Sequence, residues 1–251
     1  MGITDAFDPQ GEEIIQARNN VQAVEDFPPV VLSVFSEKFL HLLLKRYEAR
    51  EIASLCAGGR AISIYAVPYK GKTLAFFHTG MGGAACAALL EEIIALGGER
   101  MLYFGSCGVL DKTVAQGGLL IPTAAYRDEG VSYHYAPPGD YLEVETAAAL
   151  SRIFDELRLP YRLTKTWTTD AFYRETRGNL EKRRAEGCAV VEMECASLMA
   201  VGRFRKKKVY QFLYAADCLD AEHWDPRLLG KMPDDFREKL LSAALEIAAR
   251  L

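Results

Sequence analysis

The chain has 251 residues, half of them hydrophobic and a quarter charged, with 30 Lys and Arg against 34 Asp and Glu. That length can bury one substantial core, and a formal charge of −4 lacks the basic excess of a nucleic-acid binder. No apolar run reaches the roughly 18 residues of a membrane span and no signal-peptide pattern opens the chain, so the expected setting is cytoplasmic, without membrane or nucleic-acid partners.

Residues 1–29 are polar, end in Phe27-Pro28-Pro29, and read as an N-terminal arm. Val30-Val31-Leu32-Ser33-Val34 is a buried-strand pattern. Over 37–50 the apolar residues Phe39, Leu40, Leu43, Leu44 and Tyr47 recur at helical spacing, with Ser36 placed to cap the helix. Residues 61–69 and 73–78 read as two strands joined by Lys70-Gly71-Lys72. Thr79-Gly80-Met81-Gly82-Gly83 then leads into a helix over 84–96, which Gly97-Gly98 ends.

A strand at 101–104 runs into Gly105-Ser106-Cys107-Gly108, and another strand is expected at 118–122. Further on, 146–157 is helical, 163–168 extended, 176–186 helical and 188–191 a strand. A helix over 193–204, a strand over 209–215 and a last helix over 233–251 complete the series. Strands alternate with helices throughout, which predicts an α/β fold: three αβα layers around a central mixed β-sheet. No repeat or linker divides the sequence, so one domain over 1–251 is expected.

In such folds ligands gather at the carboxyl ends of strands, where 79–83, 105–108 and 216–220 fall. Gly80, Gly82 and Gly83 either leave amides open to an anion at a helix N-terminus or only permit a tight turn. Gly105 to Gly108 offer bare amides and the Ser106 hydroxyl, and Ser106 lacks the flanks of a nucleophile elbow. Glu192 and Glu194 follow Val190-Val191, so a carboxylate at the core's edge requires donors such as sugar hydroxyls.

Asp217 ends an apolar strand, either capping a turn or, if burial raises its proton affinity, protonating a leaving group. Phe172-Tyr173 suits stacking on a base or packing in the core. The six cysteines show no CxxC spacing and read as reduced thiols, and the four histidines lie too far apart to imply a metal site.

Taken in order, these segments resemble the nucleoside phosphorylase superfamily, nearest its uridine phosphorylase branch. The resemblance runs from Val30 onward and is densest over residues 78–138. It rests on His78-Thr79-Gly80-Met81-Gly82-Gly83, Gly105-Ser106-Cys107-Gly108, Gly118-Leu119-Leu120-Ile121-Pro122 and Tyr133-His134-Tyr135-Ala136-Pro137. Asp170-Ala171-Phe172-Tyr173 and Val191-Glu192-Met193-Glu194 complete it.

The resemblance implies a pentosyltransferase of nucleoside salvage. Such an enzyme cleaves the N-glycosidic bond of a purine or pyrimidine nucleoside with phosphate as co-substrate and no cofactor, giving free base and a (deoxy)ribose 1-phosphate. It implies that Ser106, Arg60, Lys38 and Gly80 bind phosphate, and that Cys107, Gly108, Phe172, Glu192, Met193 and Glu194 hold the nucleoside. Within that set Cys107, Gly108, Phe172 and Glu192 line the base pocket, while Met193 and Glu194 hold the ribose. Asp217 and Glu194 are the implied catalytic pair, with Asp217 protonating the base. Arg60 is implied to reach a neighbouring subunit's phosphate, in a homodimer or a homohexamer built from dimers.

The chain also departs from the family pattern. Val34-Phe35-Ser36-Glu37-Lys38 replaces a Gly-Asp-Pro phosphate loop and its arginine, with Lys38 as the substitute charge, and Tyr103 stands where a second phosphate arginine is expected. Thr176, Arg177 and Gly178 occupy the stretch that holds a uracil-reading glutamine–arginine pair. Two alternatives follow. One is a phosphate-independent nucleosidase with Glu37 activating water. The other is a nucleoside-binding protein without turnover.

Overall fold

The computed structural model describes residues 2–220 and 222–251. Its first half comprises α1 (Ala17–Asn20), β1 (Val30–Val34), α2 (Glu37–Arg46), β2 (Arg50–Ala57), β3 (Arg60–Tyr69), β4 (Lys72–His78), α3 (Gly83–Leu96) and β5 (Arg100–Val109). The second half comprises β6 (Leu119–Asp128), α4 (Ser132–Tyr135), β7 (Tyr141–Glu143), α5 (Ala147–Glu156), β8 (Arg162–Thr169), α6 (Arg177–Ala185), β9 (Cys188–Glu192), α7 (Cys195–Phe204), β10 (Lys208–Cys218) and α8 (Asp234–Ala248).

Among the described residues, all ten strands belong to one mixed sheet. β1 is buried at every position because parallel strands β4 and β5 flank it, which is why its sequence is an unbroken apolar run. β2, β3 and β4 form an antiparallel meander. The Lys70-Gly71 turn between β3 and β4 holds both central residues at positive φ, 48° and 77°, the twist that a two-residue hairpin requires.

α2 is shorter than its periodicity predicts. It stops at Arg46, and Arg50–Ala57 pairs with β3 as an edge strand. That segment mixes charged residues with Ala and Leu and has no strand signal of its own, so pairing with β3 decides its conformation. Ser36 occupies the helix's capping position, but its side chain makes no capping hydrogen bond.

β5 is the pivot of the sheet. It pairs in parallel with β10 from Arg100 to Val109, with β1 as far as Phe104, and with antiparallel β9 only at Gly108 and Val109. Because β10 also pairs with β6, β6 with β8 and β8 with β9, the five strands close into a ring. A small apolar cluster including Cys107, Val109, Leu120, Val190 and Leu213 knits β5, β6, β9 and β10 together.

The helices flank the sheet in two groups. α2 and α8 touch one another and β1, while α3 and α7 pack together, with α1 and α4 beside them. The close approach of α3 to α7 needs Gly83, since a Cβ there would lie 2.4 Å from the Ser197 hydroxyl. The N-terminal arm lies against the C-terminal end of α3, through the Val24 amide on the Leu96 carbonyl (3.1 Å) and the buried ring of Phe27. Among the described residues no helix is long and apolar enough to cross a membrane.

Candidate active site

A cavity of about 720 Å³ opens at the carboxyl ends of β5, β9 and β10. Ser106, Cys107 and Gly108 enter it from β5, and Glu192, Met193 and Glu194 from the end of β9 and the turn into α7. Asp217 enters from β10 and Phe172 from the turn after β8. These eight residues, scattered over 112 positions of sequence, share one wall of space.

The segment 105–108 is not the loop of bare amides that the sequence implies. It continues β5, with β10 paired along it. What opens it to the cavity is a gap on its other edge. β1 pairing ends at Phe104 and β9 pairing begins at Gly108, so Gly105, Ser106 and Cys107 have no strand partner on that side. Ser106 is exposed there, while Cys107 is buried with its thiol directed at the Tyr214 carbonyl (3.5 Å). Burial pushes that thiol's proton affinity up, so it packs and does not act as a thiolate.

The Glu192 carboxylate is engaged by the protein on both oxygens. Its Oε2 accepts the backbone N–H groups of Glu194 (2.8 Å) and Cys195 (2.7 Å), and its Oε1 accepts the hydroxyls of Thr168 (2.6 Å) and Thr166 (3.3 Å). A carboxylate offers about four acceptor sites, and all four are taken inside the protein. Glu192 thus lines the cavity, as expected, with its carboxylate engaged by the protein itself. It anchors the turn that carries Glu194 and satisfies orphan amides at the N-terminus of α7.

Glu194 is buried too, but less completely bonded. Its Oε1 accepts the Gly82 N–H at 2.7 Å, at the N-terminus of α3. Burial, and then the neighbouring Glu192 charge, raise its proton affinity above the ordinary carboxylate range. The glycine turn expected to cradle phosphate thus serves this chain's own carboxylate. Gly80 does not line the cavity, and its Cα packs so closely on Ala85 that a Cβ would approach to 2.8 Å.

Asp217 owes its direction to an irregularity. The β5–β10 register shifts between Ala215 and Asp217, inserting Ala216 unpaired opposite β5. Such a bulge re-aims the following side chain, and Asp217 faces the cavity beside Gly108. Its Oδ2 accepts the Trp224 indole N–H at 2.7 Å. Burial raises the proton affinity of this carboxyl, and the Trp224 bond opposes that rise.

Lys38 and Arg60 lie outside the cavity. Lys38 is exposed on the first turn of α2, and Arg60 is exposed where the β2–β3 hairpin turns back. Glu37 is exposed as well, 3.8 Å from His41, so its carboxylate is not at the cavity to activate water. Phe172 is 41% exposed and Tyr173 88%, their ring centroids 3.9 Å apart at the cavity mouth.

Among the lining residues, Glu175 and Trp224 escaped the sequence reading, while Phe35, Arg177 and Leu219 entered it only as members of longer segments. A lone Trp in the polar stretch around 220–226 was the one available signal. The Arg177 guanidinium reaches the Leu219 carbonyl at 3.5 Å. Among the described residues the cavity's charged lining is Glu175, Glu192, Glu194 and Asp217 against Arg177 alone. Such a surface suits a ligand rich in hydrogen-bond donors. No group of three or more His, Cys, Asp and Glu among the described residues could hold a metal ion.

Comparison with known proteins places this geometry. The purine nucleoside phosphorylase of Plasmodium vivax (strain Salvador I) is 31% identical over 191 residues, 73% of this chain and 76% of the relative. A Toxoplasma gondii purine nucleoside phosphorylase solved with immucillin-H superposes with a TM-score of 0.74 at 22% identity, covering 96% of this chain and 97% of that one. A uridine phosphorylase from Vibrio fischeri ES114 gives a TM-score of 0.75 at 18% identity, over 96% and 100% of the two chains. The family model described as the phosphorylase superfamily matches residues 29–251, and with the relative above it shows that the chain belongs to the phosphorylase superfamily.

Proposed function

We propose that this cavity cleaves the N-glycosidic bond of a nucleoside with phosphate, releasing the base and a pentose 1-phosphate. The observation that carries the reading is the opposition of two differently placed carboxyls in one cavity. Glu194 is held by backbone amides, the Gly82 N–H foremost, and has acceptor capacity left for sugar hydroxyls, while Asp217 sits on the bulge, with its proton affinity raised. As the bond to the base breaks, positive charge grows on the sugar and negative charge on the base. The phosphate oxygen forms the new bond to the sugar's anomeric carbon. Glu194 steadies the sugar, and Asp217 gives its proton to the departing base nitrogen, regaining one from phosphate or solvent. Glu192 does not touch substrate and holds the Glu194 turn in place.

The anion is met by the Ser106 hydroxyl at the strand gap. Arg60, outside its own cavity, supports a homodimer in which it serves the cavity of a second copy. Lys38 has no such geometry. The chain acts as one domain, since the cavity draws on residues from Phe35 to Leu229. Salvage of nucleosides in the cytoplasm is the setting that this chemistry fits.

A phosphate-independent hydrolysis has one observation in its favour, the excess of carboxylates over cations in the lining. Against it, Glu37, the base that sequence offered for it, faces solvent. Base release is measured across purine and pyrimidine nucleosides with and without phosphate. Phosphate-dependent release, lost in Asp217→Asn and Glu194→Gln, is the expected result. Equal rates without phosphate, or bound nucleoside with no product, overturn it.

A further inference from the structure

Glu175 is the one carboxyl of the cavity without an assigned task. It follows the short helical turn Phe172–Arg174, with its N–H on the Phe172 carbonyl at 3.3 Å, and so enters the cavity from the segment that carries the two aromatic rings. It is only partly accessible to solvent, and among the described residues its carboxyl has neither hydrogen-bond nor ion-pair partner. Its charged neighbour is Asp217, whereas those of Glu194 are Glu192 and Asp170, so Glu175 stands on the Asp217 side of the cavity, the base end in the reading above.

A partly buried carboxyl without donors is an unmet demand that a ligand can satisfy. We propose that Glu175 is a specificity residue that reads the edge of the base, favouring a purine that presents a ring N–H beside an exocyclic amine. A 2-amino-6-oxopurine offers two parallel N–H donors and matches both carboxylate oxygens. Adenine presents a bare ring nitrogen at that edge, and one carboxylate oxygen then faces a lone pair. Burial and the Asp217 charge push the free carboxyl up to about 7, and two donors from a base would return it to its ionised form.

This inference rests on the phosphorolytic reading above, and its test separates the two. Guanine and adenine are titrated calorimetrically into the full-length wild type, E175Q and E175A, and kcat/KM is measured with phosphate on guanosine and adenosine. The wild type is expected to favour the guanine ring by ~10-fold or more in both assays, and the guanine-to-adenine ratio is expected to fall by ~10-fold in each variant. Equal losses on both bases, no wild-type preference, or a ratio untouched by either variant would overturn the assignment. Turnover without guanine preference rejects Glu175 alone. A guanine preference in calorimetry that Glu175 controls, without any turnover, rejects the phosphorolytic reading alone.

Discussion

Replacing Glu192 by glutamine removes a charge while preserving shape, and so separates a positioning role from a ligand-binding one. In the wild type, Oε2 takes two backbone amides and Oε1 two threonine hydroxyls. Glutamine keeps one acceptor oxygen for the amides and turns its NH₂ toward Thr168, whose hydroxyl can accept. Two charge-assisted bonds become neutral, a loss of about 1 kcal/mol each. Relief of the repulsion with buried Glu194 offsets part of it. The net loss is expected at about 1 kcal/mol, a fall in Tm of about 2–4 °C for a chain of this size.

The pH dependence supplies the sharper test. Glu194's proton affinity is raised by burial first and Glu192's charge second, and its ionised form is the one that accepts sugar hydroxyls. Nucleoside affinity should therefore rise as pH climbs through that raised value and fall as Glu194 protonates. Stability runs the other way. A carboxyl held more tightly protonated in the folded state contributes fully below its unfolded value, and that contribution is lost as pH rises through the folded one. In Glu192→Gln the inflection in nucleoside Kd, followed from about pH 5 to pH 9, should move toward acid, because the second cause of the raised value is gone. An unmoved inflection, or a variant whose main defect is altered base preference, would refute the positioning role.

Two further experiments probe the frame around the site. Gly83→Ala drives a methyl to 2.4 Å from the Ser197 hydroxyl at the α3–α7 crossing and should cost about 1–3 kcal/mol, visible as a lowered urea midpoint; wild-type stability would show that the helices part freely. Arg60→Ala and Asp217→Asn should each be inactive alone, yet recover activity when co-refolded, because a mixed dimer retains one cavity with both groups intact. No recovery despite dimers by light scattering would remove Arg60 from the site.

Much of this protein was legible in its residues. β1 announces itself because a strand with parallel neighbours on both edges must be apolar throughout. Lys70-Gly71 marks its hairpin, and the helix from Gly83 ends at Gly97, as their local chemistry requires. Ser106, Glu194 and Asp217 were found because a small, exposed or acidic residue closing an apolar run is costly unless something uses it. The β2 edge strand was missed since its residues suit either helix or strand, and only the neighbouring ladder chooses.

Sequence by itself determined the alternation of strands and helices and pointed to Ser106, Glu194 and Asp217, which line the cavity, because both follow from short-range periodicity and from the cost of burying polar groups. Tertiary structure alone decided their division of labour. The gap between β1 and β9 along β5 opens Ser106, and the bulge at Ala216 turns Asp217 inward. The bonds from Thr166, Thr168 and two amides leave Glu192 with no acceptor to spare. Glu175 was invisible for the same reason: a carboxylate in a polar turn has no local signature, and only the cavity around it shows that it lacks a donor.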